Sequence, residues 1–68
     1  MEIKNRLLEI RLSMGYKTQG EFAKLLEIQQ PRYCMYESNQ AQPGLKRAFE
    51  IAEKLNKDIN DVFYKEES

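Results

Sequence analysis

Sixty-eight residues with 11 Lys and Arg against 11 Asp and Glu make one small domain, residues 1–68, of zero formal net charge. At this size only about 60% of the unfolded chain's surface is buried on folding, so the core is thin and a closed catalytic pocket has little room. One cysteine and no histidine exclude an internal disulfide framework and argue against a zinc site.

No run of about 18 apolar residues reads as a membrane span, and no basic start precedes an apolar stretch as a secretion signal requires. A cytoplasmic address is therefore expected. The neutral total hides an uneven distribution. Through Arg47 the chain carries eight Lys and Arg against five acids, and from Ala48 onward three Lys against six acids. A basic front and an acidic back suit a protein that shows one face to an anion.

In chain order, residues 3–14 read as a first helix with Ile3, Leu7, Ile10 and Met14 on one stripe and Leu8 beside it. Gly15 is a natural left-handed stop. Thr18, with Glu21 three residues on, has the spacing of a capping box and opens a second helix. Phe22, Leu25 and Leu26 share a face there, with Ala23 as the small residue where a neighbour can approach. Glu27 and Ile28 form a tight connection. Pro31 disfavours helical dihedrals at the residue before it, which predicts Gln30 as the cap and Pro31 as the first residue of a third helix.

Tyr33 and Tyr36 then pack onto Phe22 and Leu26, with their hydroxyls reaching the surface, while Pro31, Arg32 and Met35 point away. After Glu37, residues 38–44 are a loop by composition, and Asn39 is the residue expected at positive φ. Leu45, Ala48, Phe49, Ala52 and Leu55 follow helical spacing in a fourth helix, with Ile51 adjoining. Asp58 opens a short fifth helix with Asp61 in its first turn, carrying Ile59, Val62 and Phe63. Lys65 to Ser68 read as a frayed tail, and no strand pattern stands out. The expectation is all-α, with five helices.

Several separate motifs then fall in order: N-R-L-x-E-I-R-x-x-x-G at 5–15, T-Q-x-E-F-A-K-L-L-x-I at 18–28, Y-x-x-Y-E at 33–37, Gln42-Pro43, and A-x-K-L-N-K-x-I-x-D-V-F at 52–63. As a set they resemble the short stand-alone helix-turn-helix regulators of the Cro/Xre type, phage repressors and their bacterial relatives. The resemblance implies a compact five-helix, lambda-repressor-like domain whose third helix enters the DNA major groove while the second lies across the backbone. It further implies phosphate contact by Gln19 at the capped start, Thr18–Gln19. Base-edge contact is implied at Gln29, Gln30, Pro31 and Arg32, with Met35 one turn on. Backbone contact is implied at Asn39, Gln40 and Gln42, and a structural ion pair between Arg11 and Glu37.

Some positions depart from the family pattern. Glu27 and Asn39 stand where relatives have Gly, and Lys17 looks like one extra residue before the second helix. Gln40, Ala41 and Gln42 replace frequent Lys or Arg, which implies weak DNA binding at physiological salt unless the chain dimerises.

Arg32 is the residue best suited to base reading, because its guanidinium can donate twice to guanine. Gln30 can pair with adenine or merely cap its helix. Cys34 reads as a plain thiol, and the acids at 50, 53, 58, 61, 66 and 67 read as a solvated face rather than a metal cluster. No nucleophile has an identifiable base and no glycine-rich phosphate loop occurs, so no enzyme activity and no cofactor are expected. The expected partners are operator DNA and a second copy, joined through Ile59, Phe63 and Tyr64. A protein-interaction module, such as an antitoxin-like partner on the same fold, is the alternative that the neutral charge and the Gln-rich loop favour.

Overall fold

Apolar positions at helical spacing divide the chain into five helices, the first four of them closed by a residue at positive φ. The computed structural model describes residues 2–67, and Ser68 of the expected tail lies outside them. The order is β1 (Glu2–Asn5), α1 (Leu7–Ser13), α2 (Gln19–Leu25), α3 (Gln30–Glu37), α4 (Leu45–Lys54), α5 (Ile59–Val62) and β2 (Phe63–Glu66). Leu7, Phe22, Leu26, Tyr33, Ile51 and Val62 are the largest fully buried side chains, so each helix contributes to one core. The five expected helices are present, and a small ribbon joins them.

That ribbon corrects the reading at both ends. Residues 3–5 are strand rather than helix, and the tail at Lys65 and Glu66 is paired rather than frayed. β1 and β2 are antiparallel, with Glu2 opposite Glu66, Ile3 opposite Lys65, Lys4 opposite Tyr64 and Asn5 opposite Phe63. The four-residue interval from Ile3 to Leu7 matches a helical repeat by coincidence, and four-residue strands are too short to display alternation. Phe63, expected on the last helix, caps α5 and begins β2.

Three smaller corrections follow from packing. Gln29, in extended conformation, is the cap of α3, and Gln30 is its first residue, so Pro31 sits one position further in than expected. Of the expected apolar stripes, Ile3, Leu8, Met14, Leu25, Leu45 and Phe49 are exposed. Helical period selects a face wider than the core needs, and in a domain this small the edge positions stay wet. Finally, the Tyr33 hydroxyl is turned inward onto Glu37.

α1 to α4 end alike. The N–H two residues past the C-cap donates to a carbonyl five residues back: Tyr16 to Arg11, Ile28 to Ala23, Gln40 to Met35 and Lys57 to Ala52. The residue between takes a left-handed conformation, at Gly15, Glu27, Asn39 and Asn56. Each stop satisfies carbonyls that a helix end otherwise leaves orphaned.

Candidate nucleic-acid interface

α2, its turn and α3 form the unit on which the site is built. Thr18 accepts a hydrogen bond from the Glu21 N–H at 3.3 Å and donates from its hydroxyl to the Glu21 carboxylate at 2.9 Å, which fixes the start of α2. Phe22 meets the Tyr33 ring edge-on at 5.7 Å and the Tyr16 ring at 5.3 Å. Such pairs add about 0.5–1.5 kcal/mol each beyond the area they bury. Glu27 turns the chain at φ 59°, and its carboxylate is held by Lys54 of α4. That hydrogen bond keeps the Glu27 carboxyl below its ordinary pKa. α3 is thus clamped from behind by aromatic packing and at its leading end by α4.

The trailing end of α3 is fixed by charge. The buried Glu37 carboxylate accepts from Arg11 Nε at 2.6 Å, from the Tyr33 hydroxyl at 3.3 Å and from the Gln19 side-chain amide. Arg11 Nη1 also donates to the Tyr16 carbonyl at 2.9 Å. The hydrogen bond to Glu37 raises the Arg11 pKa despite the opposing effect of burial, and burial followed by the nearby Glu37 charge raises that of Tyr33. Among the described residues no buried side-chain polar atom lacks a partner, so the network is closed.

The expected site residues fall into two groups. Gln29, Pro31 and Arg32 are exposed and line one cleft of about 560 Å³ together with Glu27, Ile28, Tyr36 and Arg47. Met35 and Gln40 are exposed nearby in sequence, and Gln30 is exposed with its side chain lying over α2, where a Cβ on Gly20 would stand 3.0 Å from its Oε1. The other group is already engaged. Gln19 gives its amide to Glu37. Asn39 Oδ1 accepts from the Asn5 N–H and from Gln42 Nε2, both at 2.9 Å. Thr18 is exposed, but its hydroxyl serves α2. These residues set the shape of the surface, and only part of each is open to a ligand.

Two residues that the sequence reading overlooked matter here. Asn5, at 5% exposure, ties four segments together. Its Nδ2 donates to the Tyr36 carbonyl at 2.7 Å and to Gln42 Oε1 at 2.8 Å, and its Oδ1 accepts from the Leu7 N–H at 3.1 Å. With the bond from its own N–H to Asn39, this one side chain and its backbone hold the loop after α3 against the start of α1. No periodicity marks such a residue.

The second is Arg47, which shares the cleft with Arg32. It did leave a signal. The first turns of α3 and α4 contain no acid, and that of α4 carries Lys46 and Arg47, against the preference of a helix dipole. Arg47 has Glu50 one turn on at 3.9 Å, and cations at a helix start that the dipole disfavours suit an anionic partner.

No helix among the described residues is long and apolar enough to cross a membrane, and no group of His, Cys, Asp and Glu among them is arranged to hold a metal. No curated protein matches the chain. A helix-turn-helix family model, of the Cro/C1 type, matches residues 7–62, the span from the start of α1 to the end of α5. Most of the sequence is covered by that match, and the capped α2, left-handed turn and outward α3 lie inside it. The chain belongs to the Cro/C1-type helix-turn-helix family of DNA-binding regulators.

Proposed function

We propose that the chain is a sequence-specific transcriptional repressor that inserts α3 into the major groove of an operator and acts by occupancy. The observation that carries this reading is the pairing of Arg32 and Arg47 on one open cleft at the leading end of α3. Arg32 donates to guanine O6 and N7, Gln29 and Gln30 read neighbouring base edges, and Pro31 and Met35 supply apolar contacts, Met35 to a thymine methyl. Arg47 meets the flanking phosphate. Thr18, Gln19, Asn39 and Gln40 follow the backbone on either side. Gln19 and Asn39 keep their internal bonds, so their contribution is orientation as much as donation.

The regulator works in the cytoplasm as a homodimer through Ile59, Phe63 and Tyr64. That arrangement places two recognition helices about 34 Å apart for half-sites one turn apart. The apolar groove of about 480 Å³ that these residues line with Ile3 supports it.

The test is selection of bound duplexes from random DNA, followed by Arg32→Ala on the selected operator. Loss of about 1–3 kcal/mol of discrimination at one base pair per half-site is expected. Unchanged preference among sites refutes base reading by Arg32. Flat salt dependence on any duplex refutes the DNA-binding role altogether and leaves a protein-interaction module on the same fold.

A further inference from the structure

The ribbon has two outer edges, since the sheet contains only β1 and β2. In an antiparallel ladder, alternate residues turn their N–H and C=O inward to the partner strand and outward to the edge. The Arg6 N–H donates to the Val62 carbonyl at 2.8 Å, which sets the phase. Lys4 and Glu2 therefore face β2, whereas Asn5 and Ile3 face outward.

The Asn5 N–H is taken by Asn39, which closes that end of the edge and leaves the N–H and C=O of Ile3 open. On β2 the outward residues are Phe63 and Lys65. The Phe63 N–H is spent on the Ile59 carbonyl, which leaves Lys65. Among the described strand residues, each edge thus offers a single outward residue on which a further strand can centre.

We infer that β1 pairs antiparallel with β1 of a second copy about a two-fold axis at Ile3, joining the two ribbons into one four-stranded sheet. This deepens the homodimer of the preceding subsection and rests on it. Charge decides the register. Centred on Ile3, the pairing sets Ile3 against its own copy and Glu2 against Lys4 of the second copy, twice. Centred on Glu2 or Lys4 it sets like charges together, and the Lys4 register also needs the Asn5 N–H already given to Asn39. Centred on Lys65, along β2, it opposes two lysines. Like charges directly opposite are destabilising and opposite ones stabilising.

The ribbon itself supplies a second reason. Glu2 stands across from Glu66 within one chain, with Lys4 nearby at 3.7 Å. Lys4 of the second copy would flank Glu2 on its open side and offset that repulsion. The seam also continues the proposed dimer patch. Ile3 lies on the same ribbon face as Phe63 and shares a groove with Ile59 and Phe63. Pairing therefore extends one apolar strip through both copies, with each contact made twice.

Sedimentation velocity on the full chain tests this with three variants. Glu2→Lys alone, or Lys4→Glu alone, places like charges at both symmetric positions and is expected to raise the dimer dissociation constant about tenfold. The swap Glu2→Lys/Lys4→Glu restores opposite charges and is expected to return it to the wild-type range. Ile3→Pro removes an outward N–H that the β1–β2 ladder does not use. It is expected to give monomer with an unchanged melting curve, and should it unfold, the charge swap decides alone. Equal dimerisation in both single-charge variants and in the swap overturns the ribbon-edge seam, and dissociation by Phe63→Ala or Tyr64→Ala in the same assay shows that the homodimer survives by another face. A wild-type chain that stays monomeric at high micromolar concentration, with and without operator DNA, overturns both.

Discussion

Tyr33 shows what a single buried side chain does in so small a core. Its ring packs on Phe22, its hydroxyl reaches Glu37, and no surface is left exposed. Burial raises its pKa above the ordinary 10.0. A folded-state pKa above the unfolded one means that the native state holds its proton longer, so the contribution is full below about pH 10 and is lost as pH rises beyond it. Urea unfolding at pH 9 and pH 11 is expected to show stability falling between them, and Tyr33→Phe to flatten that fall. An equal fall in the phenylalanine variant would assign the alkaline loss elsewhere. The tyrosine stripe was legible from helical spacing, and the Arg11–Glu37 pair from the family resemblance. Asn5 was not, because a polar residue that bridges positions 31 to 37 apart leaves no local pattern.

At the scale of elements, α1 to α4 share one way of stopping, and Glu27 is the costly instance. Glycine takes φ near +60° freely and asparagine takes it readily, but other residues pay about 1 kcal/mol or more. At Glu27 the ion pair with Lys54 offsets part of that strain. Because Glu27 is held below its ordinary pKa of 4.5, its contribution is present above about that value and is lost as pH falls through the lowered one. Exposed pairs are also weakened by salt. Glu27→Gly is therefore expected to stabilise the fold by about 0.5–1 kcal/mol in high salt, and by less in low salt at neutral pH. Thermal melts at two ionic strengths check this, and destabilisation in high salt would show that the residue is not strained. Gly15 and Asn39 were readable as stops from residue type, whereas Asn56 falls in the two-residue gap between the fourth and fifth helical runs with no glycine to mark it, and Glu27 has the wrong residue type for its turn.

For the molecule as a whole, zero net charge and a DNA-facing role are compatible because the charges are segregated. Arg32, Lys46 and Arg47 stand at the leading turns of α3 and α4, while acids dominate the chain from Glu50 onward. Affinity for DNA is expected to fall steeply with salt, and Lys46→Gln and Arg47→Gln each to lower the slope of log K against log salt by about 1 across all sequences. Titrations on specific and mixed duplexes measure this, and an unchanged slope would remove both residues from the phosphate path. The all-α class was legible because helical periodicity extends over five segments. The ribbon escaped because its pairing partner lies at the far end of the chain, and no window of sequence contains both strands.

The pairing of Glu2 with Glu66 has a topological consequence. Opposed residues in such a ladder lie about 5 Å apart, a gap that a few flexible residues span without strain. A linker from Glu66 to Glu2 would close the backbone between them into a ring, whose unfolded form has fewer conformations to lose. Because Glu2 and Glu66 already stand side by side, the position of the opening in such a ring is nearly arbitrary for residues 2–66.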